Sequence, residues 1–165
     1  MCWVITGPET IDENIFKDNK EVEVNKTINM DEKYSYSWTD TTGETTSGSS
    51  FTPEREGQYE VIISNSKNGA TISQTESFMA YEPIGGFTVT ISQNENTLVA
   101  NLNREIKTDY EEVEYVWSIV NGNVLEEYTT NTLSEAQPGV MYKVVVTIRK
   151  GSKLSAKAED THTAE

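Results

Sequence analysis

The chain contains Tyr36-Ser37-Trp38 followed by Gly57-Gln58-Tyr59-Glu60-Val61-Ile62-Ile63, which is an aromatic pair, then a glycine, a tyrosine and an alternating apolar run. The same combination returns as Tyr115-Val116-Trp117 followed by Gly139-Val140-Met141-Tyr142-Lys143-Val144-Val145-Val146-Thr147-Ile148. The two tryptophans are 79 residues apart (117 − 38). A repeat of that length holds one small β-sandwich, so the pattern predicts two similar domains in tandem. Nothing in the repeat indicates a chemical reaction.

The composition narrows the classes of partner. The chain has 165 residues and a formal net charge of −14, from 27 acidic and 13 basic side chains. Such a field repels phosphate backbones and anionic lipid surfaces, so we expect neither as a partner. No apolar stretch comes near the length of a membrane span, so we expect no membrane insertion. Cys2 is the one cysteine, which rules out an intrachain disulfide and removes any need for an oxidising compartment. Residues 1–8 lack the pattern of a signal peptide, so we expect synthesis in the cytoplasm.

The periodicity predicts an all-β chain, because no segment sustains an apolar stripe of period 3.6. We predict a first domain over residues 1–82, a short linker at 83–86 and a second domain over 87–165, because Glu82-Pro83-Ile84-Gly85-Gly86 combines a strand breaker with a flexible glycine pair. Trp3-Val4-Ile5 predicts a first strand, and Asn68-Gly69 predicts a hairpin turn. The stretch 125–133 is ambiguous, with Glu126-Glu127 favouring a helical turn. Residues 160–165 are expected to be a frayed tail.

The repeated motif resembles the core of an immunoglobulin-type sandwich. In that fold a tryptophan packs between the sheets, and a tyrosine two residues before a core position of a later strand bonds back across a corner. Glu56-Gly57-Gln58-Tyr59-Glu60-Val61 resembles such a corner. Trp38-Thr39-Asp40-Thr41-Thr42-Gly43 resembles a weakened form of the Trp-x-Phe-Gly-Asp-Gly stretch of polycystic-kidney-disease-type domains. Both halves thus resemble disulfide-free immunoglobulin-like domains of phage structural proteins and bacterial surface proteins.

The resemblance implies two tandem immunoglobulin-like β-sandwich domains and a set of core residues. In the first domain these are Val24, Tyr36, Trp38, Tyr59 and Val61, and in the second Leu102, Tyr115, Trp117, Tyr142 and Val144. Large rings on strict strand alternation usually face a core, so we read all of them as structural.

The sequence indicates no catalytic site. His162 is the one histidine, it lies in the expected tail, and Cys2 has no histidine near it in sequence. Adjacent acids such as Glu111-Glu112 point to opposite faces of a strand, which argues against paired acid–base work. No cofactor is expected. One metal hypothesis stays open, namely calcium held by Glu82 with Asp109 or Glu111, although no acidic loop has the Asp-x-Asp spacing of calcium ligands.

Three classes of function fit these features. The first is a non-enzymatic structural or decoration module on the capsid or tail surface of a phage virion, with one domain docking on other virion proteins and the other making weak contacts with cells or glycans. The second is a stalk or adhesive fragment of a bacterial surface protein. The third is a carbohydrate-binding module, which would need exposed coplanar rings. The candidates for such rings are Trp3, Tyr81, Tyr110 and Tyr128. We favour the first class.

Overall fold

We describe residues 20–165 from a computed structural model of the chain. The chain divides into two compact units between Pro83 and Ile84, at the start of the predicted linker. Each unit consists of β-strands and connecting loops, and the described residues form no helix. The fold is therefore all-β, as the sequence predicts. The predicted first strand Trp3-Val4-Ile5 and Cys2 lie outside the described residues.

The first unit has seven described strands. These are β1 (Glu21–Glu23), β2 (Ile28–Asn29), β3 (Ser35–Thr39), β4 (Thr45–Ser47), β5 (Ser50–Phe51), β6 (Gly57–Lys67) and β7 (Ala70–Tyr81). One sheet has the order β1-β7-β6-β3-β4, and β2 pairs with β5 in a second, two-stranded sheet. β1 lies parallel to β7, while the other pairs are antiparallel. The two predicted motif segments thus become the neighbouring strands β3 and β6.

Side-chain alternation builds the core of the first unit. Along β6, Tyr59, Val61 and Ile63 are buried, while the residues between them are exposed, because successive side chains of a strand point to opposite faces. The β6–β7 hairpin turns at Asn68-Gly69, and both residues have positive φ (53° and 79°). Two positive φ values are the requirement of a type I′ turn, which explains the Asn-Gly pair.

The second unit has six strands. These are β8 (Val89–Asn94), β9 (Thr97–Leu102), β10 (Glu111–Ile119), β11 (Thr132–Leu133), β12 (Met141–Lys150) and β13 (Leu154–Thr163). They form two three-stranded sheets with the orders β10-β12-β13 and β11-β9-β8. Buried residues from both sheets form one core. Strand β10 carries the second aromatic pair and lies beside β12, which repeats the neighbouring strands β3 and β6 of the first unit.

One prediction for the second unit needs correction. The ambiguous stretch 125–133 contains a hydrogen-bonded turn at Glu126-Glu127, where the N–H of Tyr128 donates to the C=O of Leu125 at 3.1 Å, and the short strand β11. The expected frayed tail is wrong, because β13 continues to Thr163 and pairs with β12 throughout. Ala164 is 2% exposed, and its N–H donates to the C=O of Val140 at 3.0 Å. Backbone pairing with β12 holds this segment in place. Its residues are mostly polar, so the sequence shows no apolar alternation that would predict a strand.

Candidate functional site

The structure buries most of the predicted core residues. The buried ones are Val24, Tyr36, Trp38, Tyr59, Val61, Trp117, Tyr142 and Val144. Leu102 and Tyr115 are partly buried and pack against the core of the second unit. Leu102 is the last residue of β9, and Tyr115 lies on β10 at the border of its sheet, so each keeps some solvent-exposed surface.

Both tryptophan rings are buried in a core, and the indole N–H of each donates a hydrogen bond to a backbone carbonyl group. Neither ring has exposed surface, and the Nε1 of Trp38 donates to the C=O of Gly48 at 2.8 Å. The Nε1 of Trp117 donates to the C=O of Thr130 at 2.9 Å. Trp38 also stacks on Phe51 with ring centroids 4.9 Å apart and planes 8° apart. A buried indole with its N–H satisfied serves the core and cannot form a sugar platform.

Each unit contains a tyrosine corner. The hydroxyl of Tyr59 donates to the C=O of Arg55 at 2.8 Å and accepts from the N–H of the same residue at 3.2 Å. The hydroxyl of Tyr142 accepts from the N–H of Gln137 at 2.9 Å. In both units the hydroxyl bonds to the backbone four or five residues upstream, where the chain enters the strand. This shared contact supports the immunoglobulin-like description of both units.

Removing either corner hydroxyl is expected to destabilise the protein. Tyr59→Phe and Tyr142→Phe should each lower the free energy of unfolding by about 1–2 kcal/mol, because part-buried backbone groups lose their partner. Urea unfolding measures the loss as a lower midpoint at an unchanged slope. Tyr110→Phe is the matched control, since its hydroxyl has no hydrogen-bond partner within residues 20–165, and its midpoint should not move. Midpoints equal to wild type in both corner variants would contradict the structural role of the corners.

A buried charge cluster lies in the second unit, where Glu111 begins β10. The carboxylate of Glu111 has no exposed surface. It accepts hydrogen bonds from the Nη2 of Arg104 and from the N–H of Lys107, the latter at 2.8 Å. The Nζ of Lys150, also buried, lies 3.9 Å from the second carboxylate oxygen. We call Arg104, Glu111 and Lys150 the buried charge cluster.

The surroundings of Glu111 favour its ionised form. Burial raises the pKa of this carboxyl, but hydrogen bonds from Arg104 and Lys107 and the charges of Arg104 and Lys150 outweigh it, so the pKa is lowered. A general acid needs the opposite shift and access to a substrate. The arrangement therefore neutralises charge inside the fold. Sequence reasoning missed it because Lys150 is distant in the chain, and only the pairing of β10 with β12 brings it beside Glu111.

The other candidate chemical groups are also engaged in the fold. His162 lies on β13, and its Nε2 is 2.9 Å from the Oε1 of Gln93. The Oδ2 of Asp160 accepts from the N–H of Ile91 at 2.8 Å. Within residues 20–165, no three metal-ligating side chains come together, and Glu111 of the calcium hypothesis belongs to the buried charge cluster. None of the described residues belongs to a helix long and apolar enough to cross a bilayer.

The rings proposed for sugar binding lack the exposure that a platform needs. Tyr81, Tyr110 and Tyr128 are all partly buried, and Trp3 lies outside the described residues. Burial also raises the pKa of Tyr81, with help from the carboxylates of Glu21 and Glu56. None of these three tyrosines is fully exposed, which argues against a flat sugar platform built from them.

The outer face of strands β3, β4, β6 and β7, which are four of the five strands of the larger sheet, carries a continuous set of hydroxyl groups. We call it the hydroxyl face, and its serines and threonines are Ser35, Ser37, Thr39, Thr45, Ser47, Ser64, Ser66, Thr71, Ser73, Thr75 and Ser77. Ser64 and Ser73 hydrogen-bond across the hairpin at 2.9 Å, as do Ser66 and Thr71 at 2.7 Å. Ile62, which is 36% exposed, and Glu60 lie among them. The face is thus polar and carries one charged residue on these four strands, while Glu21 and Glu23 of β1 flank it on the same side of the sheet, opposite Met79 and Tyr81.

No protein-family model matches the sequence, and no curated protein matches it at a significant level. Among solved structures, the chain is similar to a two-domain fibronectin type III segment of chicken tenascin, with 14% identity and a TM-score of 0.47 over 96% of this chain and 100% of that one. It is also similar to murine CEACAM1b, with 13% identity and a TM-score of 0.47 over 88% of this chain and 95% of that one. The immunoglobulin-like description rests on the strand order and the two corners, and not on these similarities.

Proposed function

We propose that the chain is a non-enzymatic structural module on the capsid or tail surface of a phage virion, and that its first unit docks on other virion proteins through the hydroxyl face. After synthesis in the host cytoplasm it assembles onto the particle. The second unit is then available for weak contacts with host-cell surfaces or glycans.

The observation that carries this proposal is the low charge of the hydroxyl face within a strongly acidic chain. The chain has a net charge of −14, whereas Glu60 is the one charged residue within the face as defined. Protein interfaces are depleted of charge at their centres, because a buried charge must lose its water. A face of hydroxyl groups can approach a partner at low desolvation cost and still form hydrogen bonds across the contact.

The use of the chemically versatile side chains supports a non-enzymatic role. Both tryptophans and both corner tyrosines serve the cores, and Glu111 is ionised inside the buried charge cluster. His162 and Asp160 are bonded to the neighbouring strand β8. These residues stabilise two small sandwiches, which suits a module that positions a surface.

Co-sedimentation tests the docking proposal. The purified chain is spun with phage particles of its source and, separately, with the host cells. We expect saturable binding to particles at a stoichiometry that matches a symmetric lattice. Binding to cells alone would contradict the virion proposal and favour a bacterial surface adhesin. Binding to neither would also contradict it and leave a spacer of a longer protein.

A matched pair of variants tests the proposed face. Ile62→Glu adds a charge at the hydroxyl face and should weaken particle binding about tenfold, because the charge must be desolvated at the contact. Ile72→Glu is the control, since Ile72 is also 36% exposed but pairs with Asn65 on the opposite side of the hairpin. Equal weakening by both variants would show that net charge, and not the hydroxyl face, governs binding.

A further inference from the structure

Strand β10 has an open edge over its first half. Near its end, the C=O of Trp117 accepts from the N–H of Leu125 at 2.8 Å, and the N–H of Ile119 donates to the C=O of Asn123 at 3.2 Å. These groups point away from β12. Because backbone groups alternate in direction along an antiparallel strand, those of Val113 and Tyr115 point the same way. Within residues 20–165, no backbone group pairs with them.

The first unit shows what normally covers this position. Its aromatic strand β3 is paired along the corresponding edge by β4, with Ser47, Thr46 and Thr45 opposite Ser37, Trp38 and Thr39. Among residues 20–165, the same edge of the aromatic strand in the second unit has a single bridge, between Ser118 and Val124. Within the part of the chain that the structure describes, the second unit therefore leaves open the strand position that β4 occupies in the first unit.

A groove runs along this open edge. It has a volume of about 480 Å³ and lies between β10 and residues 124–129. Its apolar lining comprises Val113, Tyr115, Val116, Val124, Leu125 and Tyr128. Val124 is 54% exposed, which is high for an apolar side chain. The groove thus combines unpaired backbone groups with an apolar surface for side chains.

The remaining charged lining of the groove is mainly acidic. Glu112, Glu114 and Glu126 line it, and Arg149, the one cation among its lining residues, bonds to Glu114 at 3.0 Å. Glu112 and Glu114 alternate with Val113 and Tyr115 along β10, so they project from the other face of the sheet. A strand added here meets apolar side chains on one face, and two carboxylates followed by Val116 on the other.

We propose that the open edge of β10 binds an extended basic peptide in which apolar and basic residues alternate. The peptide adds a strand to the sheet, its backbone pairs with Val113 and Tyr115, its apolar residues face the groove and its basic residues face Glu112 and Glu114. A second copy of this chain fits poorly, because its own β10 would bring like charges together. Peptide binding at this edge goes beyond the proposed function, because it does not depend on whether the chain is part of a virion.

The first experiment measures binding of one defined probe. An end-blocked peptide of sequence Ser-Lys-Val-Lys-Val-Lys-Ser is titrated to about 1 mM, a range suited to weak contacts, while the backbone amides are followed by NMR. We expect saturable shifts and slower hydrogen exchange at Val113 and Tyr115. The same peptide with glutamate in place of lysine should not bind. Shifts confined to other strands, or equal binding of the acidic peptide, would overturn the proposal.

Two variants test the backbone and charge parts separately. Val113→Pro removes an N–H on the open edge without removing a bond to β12, and should weaken peptide binding about tenfold. Glu112→Lys/Glu126→Lys keeps the backbone intact and should also weaken it about tenfold. Glu23→Lys/Glu32→Lys is the matched control, because it changes the net charge equally at exposed sites of the first unit. Unchanged affinity in both test variants would overturn the proposal.

The outcomes also separate this inference from the docking proposal. Ile62→Glu should leave peptide binding unchanged, and Val113→Pro should leave particle binding unchanged. Sedimentation velocity of the chain alone tests whether a second copy of the chain occupies the open edge of β10. A concentration-dependent dimer that Val113→Pro abolishes would assign the edge to a second copy and overturn the peptide proposal.

Discussion

Replacing Trp117 with alanine is expected to lower the free energy of unfolding of the second unit by about 3–5 kcal/mol. The indole has no exposed surface and lies in a core formed by two sheets. Its removal leaves a cavity and deprives the C=O of Thr130 of its donor. Urea unfolding measures the loss, and hydrogen exchange should show faster exchange within residues 84–165.

Trp38→Ala is the matched variant for the first unit. Its indole is equally buried and donates to the C=O of Gly48, so we expect a loss in the same range, with faster exchange within residues 20–83. An unfolding midpoint equal to wild type in either variant would mean that the ring does not fill a core. That result would also restore the sugar-platform hypothesis for the ring.

Replacing Glu111 with glutamine is expected to cost about 3 kcal/mol, at the lower end of the range for breaking a buried ion pair. The amide keeps the size of the carboxylate but removes the negative charge that faces Arg104 and Lys150. The buried ammonium of Lys150 and the partly exposed guanidinium of Arg104 then face each other without the carboxylate between them. Glu112→Gln is the control, since Glu112 is the exposed neighbour on the other face of β10, and its effect should be close to zero.

The effect of Glu111→Gln should depend on pH. The pKa of Glu111 is lowered in the folded state, so its contribution is complete above the ordinary carboxyl pKa of about 4.3 and is lost as the pH falls through the folded-state value. The stability difference between wild type and Glu111→Gln should therefore shrink in acid. Urea midpoints measured from neutral pH down to acid test this. A constant difference would contradict the ionised state of Glu111.

The sequence predicts the parts of the fold that depend on local patterns. Alternating rings identify β3 and β10, and Asn68-Gly69 fixes a hairpin because its two positive φ values suit those residues. The frayed-tail prediction for residues 160–165 fails, since the last part of β13 is held by pairing with β12, which leaves no mark on the composition of β13 itself. Apolar alternation in a sequence therefore predicts a strand with a buried face better than it predicts a polar strand that is held by backbone pairing.

The candidate sites depend on contacts between distant residues. Glu111 belongs to an adjacent acidic pair in the sequence, and only the pairing of β10 with β12 brings it beside Lys150. The open edge of β10 could not be predicted from the sequence either. No residue pattern in the loop after Ile119 indicates that this loop pairs with β10 at one position only, between Ser118 and Val124. The sequence shows that the first half is rich in serine and threonine. Only the register of four strands shows that these hydroxyl groups form one continuous face.

The parallel pairing of β1 with β7 gives the first unit a mechanical property. The chain enters the described unit at β1 and leaves it after β7, and these two strands lie side by side with Glu21 opposite Met79 and Glu23 opposite Tyr81. Flanking bonds join the N–H of Met79 to the C=O of Lys20 and the N–H of Val24 to the C=O of Tyr81. Tension along the chain pulls the two strands in opposite directions, so the bonds bear the load together as a shear clamp and do not unzip one at a time.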